Sequence, residues 1–201
     1  QGGVAGVLVK SLFGDQKPTG LCELGPVNFR EQDGAFFAAI PVSYNRDPGE
    51  YSIQITSGDF QTEVTVRVTG ANFGEKQMPA ASPASDSAAL QFRQKIWRLY
   101  DTADPQVYWS GKFLQPVVGE VVSSYGMRIY REGSALPERH SGIDIAAAAD
   151  MPIIAAAGGK VVFSGELALT GNTLVIEHGL GLKSYYYHMN ALYLETGAEV
   201  S

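Results

Sequence analysis

His140-Ser141-Gly142-Ile143-Asp144 sets an imidazole and a carboxylate four positions apart in a stretch whose other residues are small or apolar. Imidazole nitrogen and carboxylate oxygen are both suitable donors to a borderline divalent metal such as zinc. Zinc centres that do chemistry commonly use three protein ligands and leave a fourth position to water, so this pair is at most part of a site. The remaining donor pool is small. The chain has three histidines and one cysteine, which excludes an intrachain disulfide and a cysteine-built zinc site. Cys22 reads as a small buried hydrophobe. His140, His178 and His188 all fall in the second half, yet clustering of three residues is weak support by itself.

Composition bounds what can position these groups. With 201 residues, 45% hydrophobic and 18% charged, the chain can build one large or two small domains, each with its own core. A net charge of -6, with no cluster of Lys and Arg, disfavours a nucleic-acid partner. No run of about twenty apolar residues is present to span a membrane. The start, Gln1-Gly2-Gly3, has no basic segment followed by an apolar one. Any signal peptide or membrane anchor would therefore lie upstream of it.

The first seventy or so residues have the pattern of an all-β module. Residues 6–9, 35–40, 51–55 and 63–68 are short apolar or alternating runs, punctuated by Asp47-Pro48-Gly49 and Ser57-Gly58-Asp59, whose residues supply the fixed or positive φ of tight turns. The expectation is a β-sandwich over residues 1–72, immunoglobulin-like, that buries Tyr51, Ile53, Ile55 and Val64, Val66, Val68 against an opposing sheet. Residues 73–110 are expected to hold a linker, rich in Pro, Ala and Ser from Met78 to Ser87, and then an amphipathic helix. Ala89, Phe92, Ile96, Leu99 and Ala103 recur at helical spacing, with Asp86 as the expected N-cap and Trp97 and Tyr100 at the flank. From residue 111 onward, segments 119–126, 152–156, 159–165, 172–179 and 183–188 read as successive antiparallel strands between glycine-rich turns.

The second half resembles the lysostaphin-type, or LytM-type, zinc metallopeptidases. The resemblance runs from about Phe113 to the end. Val118-Gly119-Glu120-Val121-Val122-Ser123-Ser124-Tyr125-Gly126-Met127-Arg128 looks like the family's G-x-V-x-S-x-F-G-x-R strand. His140-Ser141-Gly142-Ile143-Asp144-Ile145-Ala146 matches its H-x-G-x-D-x-A motif residue for residue. Segments 152–162 and 171–179 and Tyr185-Tyr186-Tyr187-His188-Met189 follow in order. The resemblance implies an antiparallel β peptidase domain over residues 111–201, with His140 and Asp144 as zinc ligands. His188 takes the place of a catalytic histidine that stays off the metal and orients or deprotonates the attacking water. His178 is expected to face a turn and to be structural. Arg128 is equally consistent with a substrate carboxylate contact and with a surface role, and Tyr130, Tyr185 and Tyr187 are possible groove residues.

One departure qualifies the match. Family members carry a later His-x-His motif that completes the zinc site, and this chain has no histidine after His188. The expectation is that residues 111–201 are a peptidase domain incomplete at its C-terminal end, inactive as given for want of a third ligand. The resemblance implies a Zn2+-dependent endopeptidase cutting peptide cross-links or bridges of bacterial peptidoglycan, outside the cytoplasm in the cell envelope. The alternative is a catalytically inactive relative that binds peptidoglycan and activates another hydrolase. On either reading the first module could hold the protein near the wall or cover the cleft.

Overall fold

Alternation of apolar and polar side chains along a strand buries one face only, and residues 35–41 obey this closely. Phe36, Ala38 and Ile40 are buried while Phe37 points to solvent. The computed structural model describes residues 1–10, 16–32, 34–80 and 84–201. Residues 81–83 of the expected linker lie outside the described residues. The strands are β1 (Val4–Lys10), β2 (Thr19–Cys22), β3 (Arg30–Gln32), β4 (Ala35–Pro41), β5 (Gly49–Ser57), β6 (Phe60–Val68), β7 (Glu75–Met78), β8 (Glu120–Ser123), β9 (Arg128–Arg131), β10 (Glu138–Arg139), β11 (Asp144–Ala146), β12 (Gly159–Leu167), β13 (Gly171–Gly179), β14 (Leu182–Met189) and β15 (Glu199–Val200). The protein is mostly β, in several sheets.

Two compact units divide the chain. The first comprises Gln1–Pro79 and Ser123–Ile143, and the second Ala80–Val122 and Asp144–Ser201. In the first unit, antiparallel sheets β1-β4-β3 and β2-β5-β6 enclose one core that includes Val7, Phe29, Ile40, Ile53, Ile55 and Val68. This is a sandwich, as expected. Val64, expected inside, is 39% exposed. It pairs with Ile53 across the β5–β6 hairpin, but β6 is the sheet's edge, and the core takes in Val68 and part of Val66 without reaching Val64. A third sheet, β10-β9-β7, completes the unit. Its β7 runs parallel to β9, with Glu75 opposite Arg128 and Met78 opposite Arg131. The sequence Glu75-Lys76-Gln77-Met78 has no apolar alternation, which is why it reads as linker.

The second unit begins with a helix whose N-cap is Ser85, its hydroxyl accepting from the Ala88 amide at 3.2 Å. Asp86, expected as the cap, is instead the first helical residue, where a carboxylate faces the positive end of the helix dipole. The helix is also shorter and less regular than expected. α1 (Asp86–Phe92) leads into a π-helical turn (Arg93–Trp97), and α2 (Arg98–Tyr100) ends it. Ile96 on the π turn is fully buried with Leu167 and Val175, and Phe92 and Leu99 pack beside them. Trp97 and Tyr100 lie exposed at the flank.

The main sheet of this unit is antiparallel β14-β13-β12-β15, and β8 pairs with β11 in a smaller one. β13 is central and buried at every residue from Thr173 to Gly179. Residues 152–156, expected as a strand, join no sheet, and Ala156 lies in a bend. Two backbone bonds tie them to the segment before β8, Ile154 amide to Pro116 carbonyl at 2.9 Å and Leu114 amide to Ala156 carbonyl at 2.8 Å, and the Ala156 amide donates to the Tyr186 hydroxyl at 2.8 Å. Pro116 and Pro152 have no amide hydrogen to extend that ladder. Among the described residues no helix is long and apolar enough to cross a membrane.

Candidate metal and catalytic residues

His140 follows β10 and is half-buried. Its backbone is pinned to the turn before β9: its amide donates to the Met127 carbonyl at 2.9 Å, and its carbonyl accepts from the Gly126 amide at 2.7 Å. The ring Nδ1 lies 3.2 Å from the Ser124 carbonyl oxygen. A carbonyl can only accept, so the proton sits on Nδ1 and the lone pair on Nε2. That is the tautomer and the kind of orienting contact a metal-binding histidine uses. Gly126 makes the turn possible, because its φ is +80° and a Cβ there would collide with the Phe73 ring.

Asp144 opens β11 with its side chain exposed. Its strand lies against β8, and at the start of β8 the motif glycine Gly119 has a physical reason: a Cβ there would collide with the Ala146 carbonyl. His140 closes the segment counted with the first unit, and Asp144 begins the segment counted with the second. Both residues have interaction partners. By donor type the pair suits zinc, nitrogen and carboxylate oxygen together. Among the described residues no group of three or more His, Cys, Asp or Glu is placed to hold a metal ion.

His188 lies near the end of β14, exposed, with φ of +59°. Left-handed backbone is uncommon for a non-glycine residue and persists where surrounding structure enforces it. The enforcement here is a β-bulge. Leu174 pairs with Tyr186 but Asn172 with Met189, so β14 carries one extra residue, and the His188 amide donates instead to the Thr170 carbonyl at 2.9 Å. A bulge re-aims a side chain out of the regular alternation, which is what lifts His188 off the sheet.

His178 does not face a turn. It is wholly buried on β13, its Nδ1 donating to the Gly158 carbonyl at 2.8 Å and its Nε2 lying 2.8 Å from the Ser184 hydroxyl, with the Phe113 ring edge-on at 4.9 Å. Both ring nitrogens are used, so it is a satisfied core histidine. Arg128 is held by Glu75 at 3.0 Å. Tyr185 lies beside Tyr100 and Tyr187 beside Phe92, at centroid distances of 5.6 and 6.3 Å, so both rings are engaged with the helix. Burial pushes Tyr187 up to about 12 and, reinforced by the Tyr100 and Tyr187 hydroxyls, holds Tyr185 well above the usual phenol range. Sequence reasoning missed the buried ion pair of Lys183 and Glu177, 2.6 Å apart. Only a carboxylate and an ammonium bracketing the Gly179–Gly181 turn hinted at it.

Comparison with known proteins bears on the second unit most directly. Residues 138–201 match the model of peptidase family M23. It is this stretch, about a third of the chain, that is similar to that family. It contains His140, Asp144 and His188. A cell division protein, DipM of Caulobacter vibrioides, is 28% identical over 82 residues, which is 40% of this chain and 12% of that protein. The chain thus spans a small part of that relative's length. A crystal structure named for peptidase M23 from Pseudomonas aeruginosa superimposes with a TM-score of 0.67, covering 99% of this chain and 77% of the other at 22% identity. At that identity the likeness is one of fold.

Proposed function

We propose that this protein is a zinc-dependent endopeptidase that hydrolyses peptide bonds in bacterial peptidoglycan, acting in the cell envelope. The observation that carries the reading is that the family M23 segment, residues 138–201, contains His140, Asp144 and His188 together. His140 and Asp144 would hold the metal, which when bound would lower the pKa of its water and polarise the scissile carbonyl. His140 would offer Nε2, since Nδ1 is committed to the Ser124 carbonyl. His188, raised by the bulge, would take the proton of the attacking water and pass it to the leaving amine. The reading needs a third protein donor besides these two.

A purified full-length protein supplied with zinc and incubated with peptidoglycan should release new amine termini, detectable by mass spectrometry of the soluble peptides. His188→Ala should slow release by about a hundredfold or more, and Asp144→Ala should lower bound zinc. Undiminished release from both variants would overturn the assignment.

The alternative reading is a non-catalytic relative that binds peptidoglycan and activates another hydrolase. Binding without release, together with stimulation of a separate wall hydrolase by wild type and His188→Ala alike, would favour it.

A further inference from the structure

Arg139, one residue before His140, sits on β10 directly opposite Arg128 of β9. Like charges facing across a ladder destabilise it, yet this short ladder is what delivers His140. Each guanidinium is satisfied differently. Arg128 is paired with Glu75, whereas Arg139 has no carboxylate partner among the described residues and lies over two aromatic faces, 5.6 Å from the Tyr44 centroid and 5.4 Å from that of Phe73. Tyr44 and Phe73 meet edge to face at 6.4 Å, and Tyr44 tilts against Tyr125 at 5.1 Å. The Arg139 Nη1 also donates to the Gly126 carbonyl at 2.8 Å. Gly126 is the residue whose amide holds the His140 carbonyl.

The guanidinium therefore connects Tyr44 of the first module, and Phe73 just past it, to Gly126, whose amide holds the His140 carbonyl. A planar guanidinium can stack on a ring while donating in its own plane, which a lysine ammonium cannot reproduce. We propose that Arg139, clasped by Tyr44 and Phe73, is a positioning residue that fixes the orientation and tautomer of the His140 ring. The first module is then part of the machinery that presents a ligand, and neither a passive spacer nor a detachable cover. This rests on the reading of His140 as a zinc ligand, although its first readout does not need the metal.

The test uses Arg139→Met, Arg139→Lys and Tyr44→Leu in the full-length protein. In metal-free samples the nitrogen NMR shifts of the His140 ring should report a Nδ1-protonated tautomer in wild type and a mixture of tautomers in each variant. Unchanged shifts overturn the proposal. Zinc affinity, measured by chelator competition, should fall about tenfold in the variants, the size of effect known for partners that orient a ligand. Equal affinity also overturns it. A Tyr44→Leu/Arg139→Met double variant should lose no more than Arg139→Met alone, and additive losses count against the clasp. If Arg139→Met does not fold, Tyr44→Leu and Arg139→Lys carry the same tests. Absence of zinc binding by wild type would instead sink the zinc reading and leave the NMR result to decide the positioning role.

Discussion

The Glu177–Lys183 pair gives the sharpest stability prediction, because it braces the β13–β14 hairpin that ends in the His188 bulge. The two side chains are 4% and 2% exposed and 2.6 Å apart. Glu177 Oε1 also accepts the Gly179 and Gly181 amides, each at 3.0 Å, and Lys183 donates to the Thr102 carbonyl. Removing one partner of a buried pair leaves the other charge uncompensated, at a cost of about 3–5 kcal/mol. Lys183→Met strands a carboxylate that keeps two amide donors, so the lower figure of about 3 kcal/mol applies. Glu177→Gln strands an ammonium with one carbonyl, which places it near the upper figure of about 5 kcal/mol. At about 2–4 °C per kcal/mol for a protein of this size, Lys183→Met should lower the midpoint of thermal unfolding by about 6–12 °C.

The double variant decides the mechanism. Glu177→Gln/Lys183→Met keeps an amide oxygen for Gly179 and Gly181 and leaves no buried charge, so it should return to within about 2 kcal/mol of wild type. Thermal unfolding of all four proteins, followed by circular dichroism and calorimetry, gives the complete cycle. A double variant as unstable as the two singles combined would refute the argument, as would single variants that shift the midpoint by less than about 2 °C.

Gly126→Ala combines a left-handed φ with a collision against Phe73, so it should cost at least about 2 kcal/mol, read as a lower denaturant midpoint. His188→Gly relieves the positive φ while removing the imidazole. It should hold stability at or up to about 1 kcal/mol above wild type in the same assay while abolishing hydrolysis, and a clear loss of stability would argue against enforced strain at the bulge. For the half-buried Tyr185 and Tyr187 the sign follows from raised folded-state values. Their neutral form contributes stability fully present below about pH 10, the unfolded phenol value, and lost as pH rises toward about 12. Absorbance at 295 nm should show these two phenols among the last to ionise, with alkaline unfolding over that window, and Tyr187→Phe should reduce the dependence.

Local pattern was enough for much of the framework. The β5–β6 hairpin and the run from β12 to β14 were legible because apolar alternation and turn residues act within a dozen positions. What escaped depended on partners distant in sequence. β7 is polar, and it becomes a strand only because β9, fifty residues later, offers it a ladder. Residues 152–156 have strand composition but meet Pro116, whose missing donor stops the ladder that composition promised. His178 looked like a turn residue beside Gly179, and only the convergence of Gly158, Ser184 and Phe113 makes it a core group. Arg128, ambiguous in sequence, is engaged by a glutamate 53 positions away.

The two histidines proposed for chemistry share a property that no motif spells out. Neither follows the regular repeat of its strand. His188 stands at a left-handed position of a bulge, its amide diverted to Thr170, and His140 lies just past β10, fastened through both its backbone groups to a glycine turn. A regular strand would send each side chain up or down by parity alone, so placement by parity would tie the site to the core pattern. Irregular backbone frees the side chain from that alternation but must be held by specific bonds. Those bonds come from Thr170 in one case and from Gly126, Met127 and Ser124 in the other. It follows that substitutions at these supporting positions should disturb the site more than their burial suggests, with Gly126, which bonds both His140 and Arg139, the most sensitive among them.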